Sequence, residues 1–107
     1  MNKELVGKMV YVPRHNFGAE RVMYLWDVSG GLMSFIDCQG DGLRLHEDAV
    51  ELREATKKEV AEDFMYCIDG KRRDLSELGD RGLEIIEELY KVSLEKCQKQ
   101  AGRYERF

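Results

Sequence analysis

Apolar and polar positions alternate with a period of two through much of the first half of the chain, and recur with a period near 3.6 through the second half. The first period is that of a β-strand, whose successive side chains leave opposite faces; the second is that of a helix buried along one stripe. Val22, Tyr24, Trp26 and Val28 alternate up to the pair Gly30 and Gly31, and the pattern resumes at Leu32. A two-residue Gly-Gly loop supplies the positive φ angles that type I′ and II′ turns require, which predicts a hairpin of residues 20–29 and 32–38. Gln39, Gly40, Asp41 and Gly42 form a second turn into a strand at residues 42–46, giving a three-stranded meander. Ahead of the meander, Lys8–Val12 reads as a first strand, ended by Pro13, the only proline. The loop of residues 14–19 places Phe17 between the turn formers Asn16 and Gly18. Residues 47–52, with Val50 and Leu52 in alternation, are predicted as a fifth strand entered through one tight turn.

Beyond Arg53 the pattern becomes helical. Thr56 is a predicted N-cap with Glu59 completing a capping box, and Val60, Ala61, Phe64, Met65 and Ile68 fall on one face. Gly70 is placed to end this helix in the left-handed conformation. Lys71, Arg72 and Arg73 then make a basic loop. Asp74 and Glu77 repeat the capping-box spacing, but Gly79 and Gly82 restrict that stretch to a single turn. The last element is predicted over residues 83–100, where Leu83, Ile86, Leu89, Tyr90, Leu94 and Cys97 recur at helical spacing. Glu87 with Lys91, and Glu95 with Lys99, stand four residues apart as favourable pairs. So long an apolar stripe needs cover from the sheet, the shorter helix or a second copy of the chain.

The five strands, opened by Gly7-Lys8-Met9-Val10-Tyr11-Val12 and closed by Glu47-Asp48-Ala49-Val50-Glu51-Leu52, resemble the small SH3-like barrels, including their Tudor and KOW relatives. The resemblance spans residues 5–53. With the helices it implies an α+β chain: a five-stranded antiparallel SH3-like small barrel at residues 1–54, then two α-helices at residues 55–107 packed on the barrel or on a partner. Such barrels bind Pro-rich peptides, methylated side chains, nucleic acids or other proteins, so the resemblance points to binding without naming a ligand.

Composition narrows the choice. The 107 residues are 43% hydrophobic and 36% charged, which suits one folded unit with a highly charged exterior. A net charge of −4 opposes phosphate binding over the whole surface. Without an apolar run of about 18 residues, or an apolar leader, the expectation is a soluble cytoplasmic protein that meets no membrane. Three widely spaced cysteines, Cys38, Cys67 and Cys97, read as reduced thiols.

Cys38 and His46 are placed to meet across the second turn as nucleophile and base, but no third group or oxyanion site accompanies them, so no enzymatic activity is expected. His15, His46 and the cysteines contain no close ligand pair, and Asp37, Asp41 and Gly42 lack calcium-loop spacing; no metal or cofactor is expected. Tyr11, Phe17, Tyr24, Trp26 and Phe35 would serve as a platform for bases, yet Asp27, Asp37, Asp41, Glu47 and Asp48 among them repel phosphate. Anion sites are confined to the Lys71, Arg72 and Arg73 loop and to Lys96, Lys99, Arg103 and Arg106. The expected function is therefore a non-enzymatic protein-protein interaction module, a small regulator, inhibitor or accessory subunit such as those of phage and mobile elements. Its candidate contact residues are Tyr11, His15, Phe17, Tyr24, Trp26, Lys71, Arg72 and Arg73. The alternative is a nucleic-acid-binding small barrel that uses the aromatics and the basic loop, and a homodimer through the last helix is a further expected association.

Overall fold

Gly30 and Gly31, with φ of 60° and 79°, close the hairpin that starts the sheet, as a primed two-residue turn requires. In the computed structural model, which describes residues 2–16 and 18–105, the strands are β1 (Lys8–Val12), β2 (Arg21–Ser29), β3 (Leu32–Ile36), β4 (Gly42–His46) and β5 (Arg53–Glu54). They form one antiparallel sheet in the order β4-β3-β2-β1-β5. Helices α1 (Lys57–Asp69) and α2 (Asp80–Glu105) follow, with short 3-10 turns at Lys3–Leu5 and Leu75–Leu78. The architecture is α+β, as expected.

The expected barrel, however, is an open sheet. Its closing strand was predicted at residues 47–52, but a turn follows β4 directly, held in part by Ala49 N–H donating to the His46 carbonyl at 2.9 Å. Val50 and Leu52 serve as packing on the inner core. Only Arg53 and Glu54 pair with β1, opposite Tyr11 and Val10. Two residues are too few to reach round to β4, so β4 and β5 remain the two edges.

Both faces of the sheet are buried, which explains why β2 does not alternate cleanly. Met23 and Leu25 join Val10, Val12, Met33, Phe35 and Leu45 in one core. Val22 and Met9 join Ala55, Val60 and Cys97 in a second core beneath the helices, with Tyr24, Tyr90 and Leu94 at its margin. A strand covered on both sides is apolar on both sides.

Thr56 caps α1 as predicted: its hydroxyl accepts from Glu59 N–H at 3.1 Å, and the Glu59 carboxylate accepts from Thr56 N–H at 2.9 Å. Gly70 ends the helix at φ 73°. Val60, Ala61 and Phe64 are buried, whereas Ile68, 68% exposed, lies in the last turn of α1, beyond the packed part of its face. The two helices run side by side in the same direction. Lys57 meets Glu87 at 2.9 Å, and seven residues on Phe64 lies under the Lys96 ammonium. Glu87 thus pairs across to α1, rather than with Lys91.

A parallel helix pair needs a return segment, and residues 70–79 supply it. Leu75 packs against Ala61 and Ile86, and its N–H donates to Glu62 at 2.8 Å. Helix α2 begins at Asp80, three residues earlier than predicted, and Gly82 is the reason it can. A Cβ there would lie 2.2 Å from the Leu75 carbonyl oxygen. Leu83, predicted in the buried stripe, is 63% exposed. No helix among the described residues is long and apolar enough to cross a membrane.

Replacing Gly82 by Ala should therefore destabilise the fold by about 1–3 kcal/mol, because backbone stands in the way. Gly102→Ala, in the same helix with open space around it, should stabilise by about 0.5–1 kcal/mol. Urea midpoints check both, and shifts of the same sign would contradict the close approach of the Leu75 carbonyl to Gly82.

Candidate functional site

β2 carries one residue too many for its partner. Leu25 faces Phe35 and Asp27 faces Ser34, which leaves Trp26 as the unpaired residue of a β-bulge. A bulge bends the strand and re-aims the side chain it carries. The last turn of α2 brings Tyr104 to Trp26, with ring centroids 6.1 Å apart and planes inclined by 20°. Around this pair opens a cleft of about 300 Å³ lined by Trp26, Ser34, Phe35, Gly42, Leu43, Arg44 and Tyr104. Arg44 is exposed, and among the described residues no carboxylate lies within ion-pair distance of it.

A second cleft, of about 490 Å³, lies between β1, the start of β2, α1 and the return segment. It brings together three of the predicted site residues, Tyr11, Arg72 and Arg73, with Arg21 and Lys58 and the carboxylates of Glu20, Glu59, Glu62, Asp63 and Asp74. Most of these charges already have partners. Arg53 grips Glu59 with both nitrogens, at 2.7 and 2.6 Å, and lies 4.4 Å over the Tyr11 ring. The Tyr11 hydroxyl donates to Glu20. Lys58 bridges Glu62 and Asp74 at 3.4 and 3.2 Å, and Arg73 binds Asp69 at 2.7 Å. Arg72 stacks 4.7 Å from the Tyr66 ring. Lys71 does not line the cleft; its N–H donates to Asp69 at 3.0 Å. Within the basic loop, among the described residues, Arg73 is ion-paired and Arg72 is stacked on an aromatic ring.

Below that cleft sits a buried charge. Asp37 is 3% exposed; one carboxylate oxygen accepts from Gln39 N–H and Asp41 N–H, both at 2.9 Å, and the other accepts from Arg21. The three cysteines, far apart in sequence, gather nearby. Cys67 Sγ lies 3.9 Å from Asp63, the Gln39 side chain donates to the Cys67 carbonyl at 3.3 Å, and Cys38 and Cys97 share the second core. Burial, followed by the neighbouring carboxylate of Asp63, pushes the Cys67 thiol up to about 12. Burial likewise takes Cys97 to about 12 and raises Cys38. These thiols are de-activated as nucleophiles.

Nor does His46 approach Cys38. His46 pairs with Leu32, at the opposite end of the β3–β4 ladder from Cys38, which follows the Ile36–Gly42 pair. The two were expected to meet because the turn was read without its register. Among the described residues no group of three His, Cys, Asp or Glu side chains is arranged to hold a metal ion.

The remaining predicted site residues are scattered. His15 bridges to Gly18 in the loop before β2, Tyr24 belongs to the margin of the second core, and Phe17 lies outside the described residues. Sequence reasoning missed Arg44 and Tyr104. The latter was legible: Cys97, Ala101 and Tyr104 continue the helical spacing past residue 100, where the predicted helix stopped. Comparison with family models, curated proteins and solved structures returned no match.

Alkylation at neutral pH should be slower at Cys67 and Cys97 than at a free thiol by on the order of a thousandfold, and should become ordinary in urea. Rapid labelling of the folded chain would contradict the burial described. A second expectation concerns acid. The Arg53 contacts, aided by the Thr56 N–H, hold the Glu59 carboxyl down to about 2 from its ordinary 4.5. A depressed folded-state value stabilises above the unfolded value, so this contribution should fade as pH falls from about 4.5 to about 2. Urea midpoints across that window should drop less in Glu59→Gln than in the parent.

Proposed function

We propose that the chain is a non-enzymatic protein-interaction module whose contact surface is the Trp26 cleft. The observation that carries this is the pairing of Trp26, turned out by a bulge, with Tyr104 over an open cleft whose rim holds Arg44, which no carboxylate among the described residues pairs. Trp, Tyr and Arg are the side chains that most often dominate binding energy at protein interfaces, because they bury large areas while keeping a polar handle. A small cytoplasmic regulator, inhibitor or accessory subunit is the setting we favour.

The nucleic-acid reading has less support. Its basic loop is occupied by Asp69 and Tyr66, and the neighbouring cleft holds five carboxylates that repel phosphate. A homodimer through α2 is not required to cover the helix, since Ile86, Cys97 and Ala101 are buried within the chain.

Affinity purification of the tagged chain from its native host should recover a stoichiometric protein. Trp26→Ala should abolish recovery by weakening the contact about thirtyfold or more. The triple change Lys71→Ala, Arg72→Ala, Arg73→Ala should leave recovery intact. The reverse pattern, with oligonucleotide binding that falls steeply as salt rises, would favour the alternative.

A further inference from the structure

β4 is an edge of the sheet, with β3 on one side and, among the described residues, no strand on the other. Which of its backbone groups face outward follows from two bonds that bracket the ladder. Asp37 N–H donates to the Asp41 carbonyl at 3.0 Å, and Glu47 N–H to the Gly31 carbonyl at 2.9 Å. Opposed residues alternate between hydrogen-bonded and non-bonded pairs in an antiparallel ladder. The register Phe35–Leu43 and Met33–Leu45 therefore bonds Leu43 and Leu45 inward. Gly42, Arg44 and His46 point their N–H and C=O groups away from β3. Ala49 occupies the His46 carbonyl, but among the described residues nothing meets the backbone of Gly42 or Arg44.

Those two residues also line the Trp26 cleft. An open edge and an aromatic slot thus lie side by side, and the slot has room for one large side chain. We propose that β4 takes an extended segment of a partner protein as a sixth strand. One aromatic or large aliphatic side chain of that segment seats against Trp26 and Tyr104, and a carboxylate beside it faces Arg44. This rests on the interaction-module reading above and gives the partner its chemistry. Strand addition draws affinity from main-chain hydrogen bonds and specificity from pockets for individual side chains, and this edge offers both.

Charge selects the occupant. Two copies of β4 pairing antiparallel about Arg44 would set guanidinium against guanidinium, and like charges directly opposite destabilise a sheet. An acidic segment meets attraction at the same place. A nucleic acid strand lacks the alternating amide donors and acceptors that Gly42 and Arg44 are spaced to meet.

The test uses the full chain and fluorescently labelled, end-capped peptides that alternate Thr and Val around a central Phe, Trp or Leu flanked by Asp. Binding should change Trp26 emission and protect the Gly42 and Arg44 amides from hydrogen exchange. N-methylation of alternate peptide amides should weaken it about tenfold, through the loss of main-chain bonds. Arg44→Glu should weaken it about fivefold and favour a Lys-flanked peptide instead. Equal affinity for the N-methylated peptide, unprotected Gly42 and Arg44 amides, or no binding by any peptide would overturn strand addition. If Trp26→Ala still abolished recovery of the host partner, the module reading would survive that failure. Protection of the same two amides in the concentrated chain without peptide would assign the edge to a second copy and overturn the acidic-partner proposal.

Discussion

The structure hangs on a buried carboxylate. Asp37 sits where β3 ends, and moving an ionised group out of water is expensive unless its lone pairs are met. Three donors meet them: Arg21 from the start of β2, and the N–H groups of Gln39 and Asp41 from the turn. This one side chain therefore fixes the shape of the turn, and with it the register of β4. Because that register decides which amides of β4 face outward, the chemistry of the free edge is set by a residue that never touches it.

The helices add the second constraint. Since α1 and α2 run in the same direction, ten residues must return between them, and the Leu75–Leu78 turn of that return lies so close to the first turn of α2 that only glycine fits at position 82. Helix α2 runs 26 residues, and its last turn reaches Trp26. The molecule is elongated as a result, 43 Å by 28 Å by 25 Å. Where the helices cover the sheet they bury Val22 and Tyr24; at the far end only Tyr104 arrives, and the cover thins to a cleft. The site is what remains of a sheet face incompletely covered.

Charge is handled differently at the two clefts. Around Tyr11 the ions pair among themselves, which leaves little net field to attract a ligand. Beside Trp26 the Arg44 guanidinium has no carboxylate within ion-pair distance among the described residues. For recognition an unspent charge beside apolar surface is more informative than a dense network, because the network's energy is already committed to the fold.

Much of this could be read from the residues in order. The hairpin at Gly30 and Gly31, the capping box of Thr56 and Glu59, the left-handed stop at Gly70 and the helical turn after Asp74 are local features, each encoded within four or five neighbours. Trp26, Tyr11, Arg72 and Arg73 were also named from the sequence as candidate contact residues, though which way Trp26 faces was not legible. Nor was the bulge that turns Trp26 outward, since it is a mismatch between two strands and neither strand shows it alone. Cys38 and His46 look adjacent along the chain but are separated by register, while Cys38, Cys67 and Cys97 look remote and are gathered by packing. Residues 47–52 have strand-like alternation, yet burial against the inner core claimed them and left the sheet open. Local propensity thus determined the elements and their ends. Long-range packing decided which edge stayed free and which side chains met there, because burial and pairing depend on partners that no short window of sequence contains.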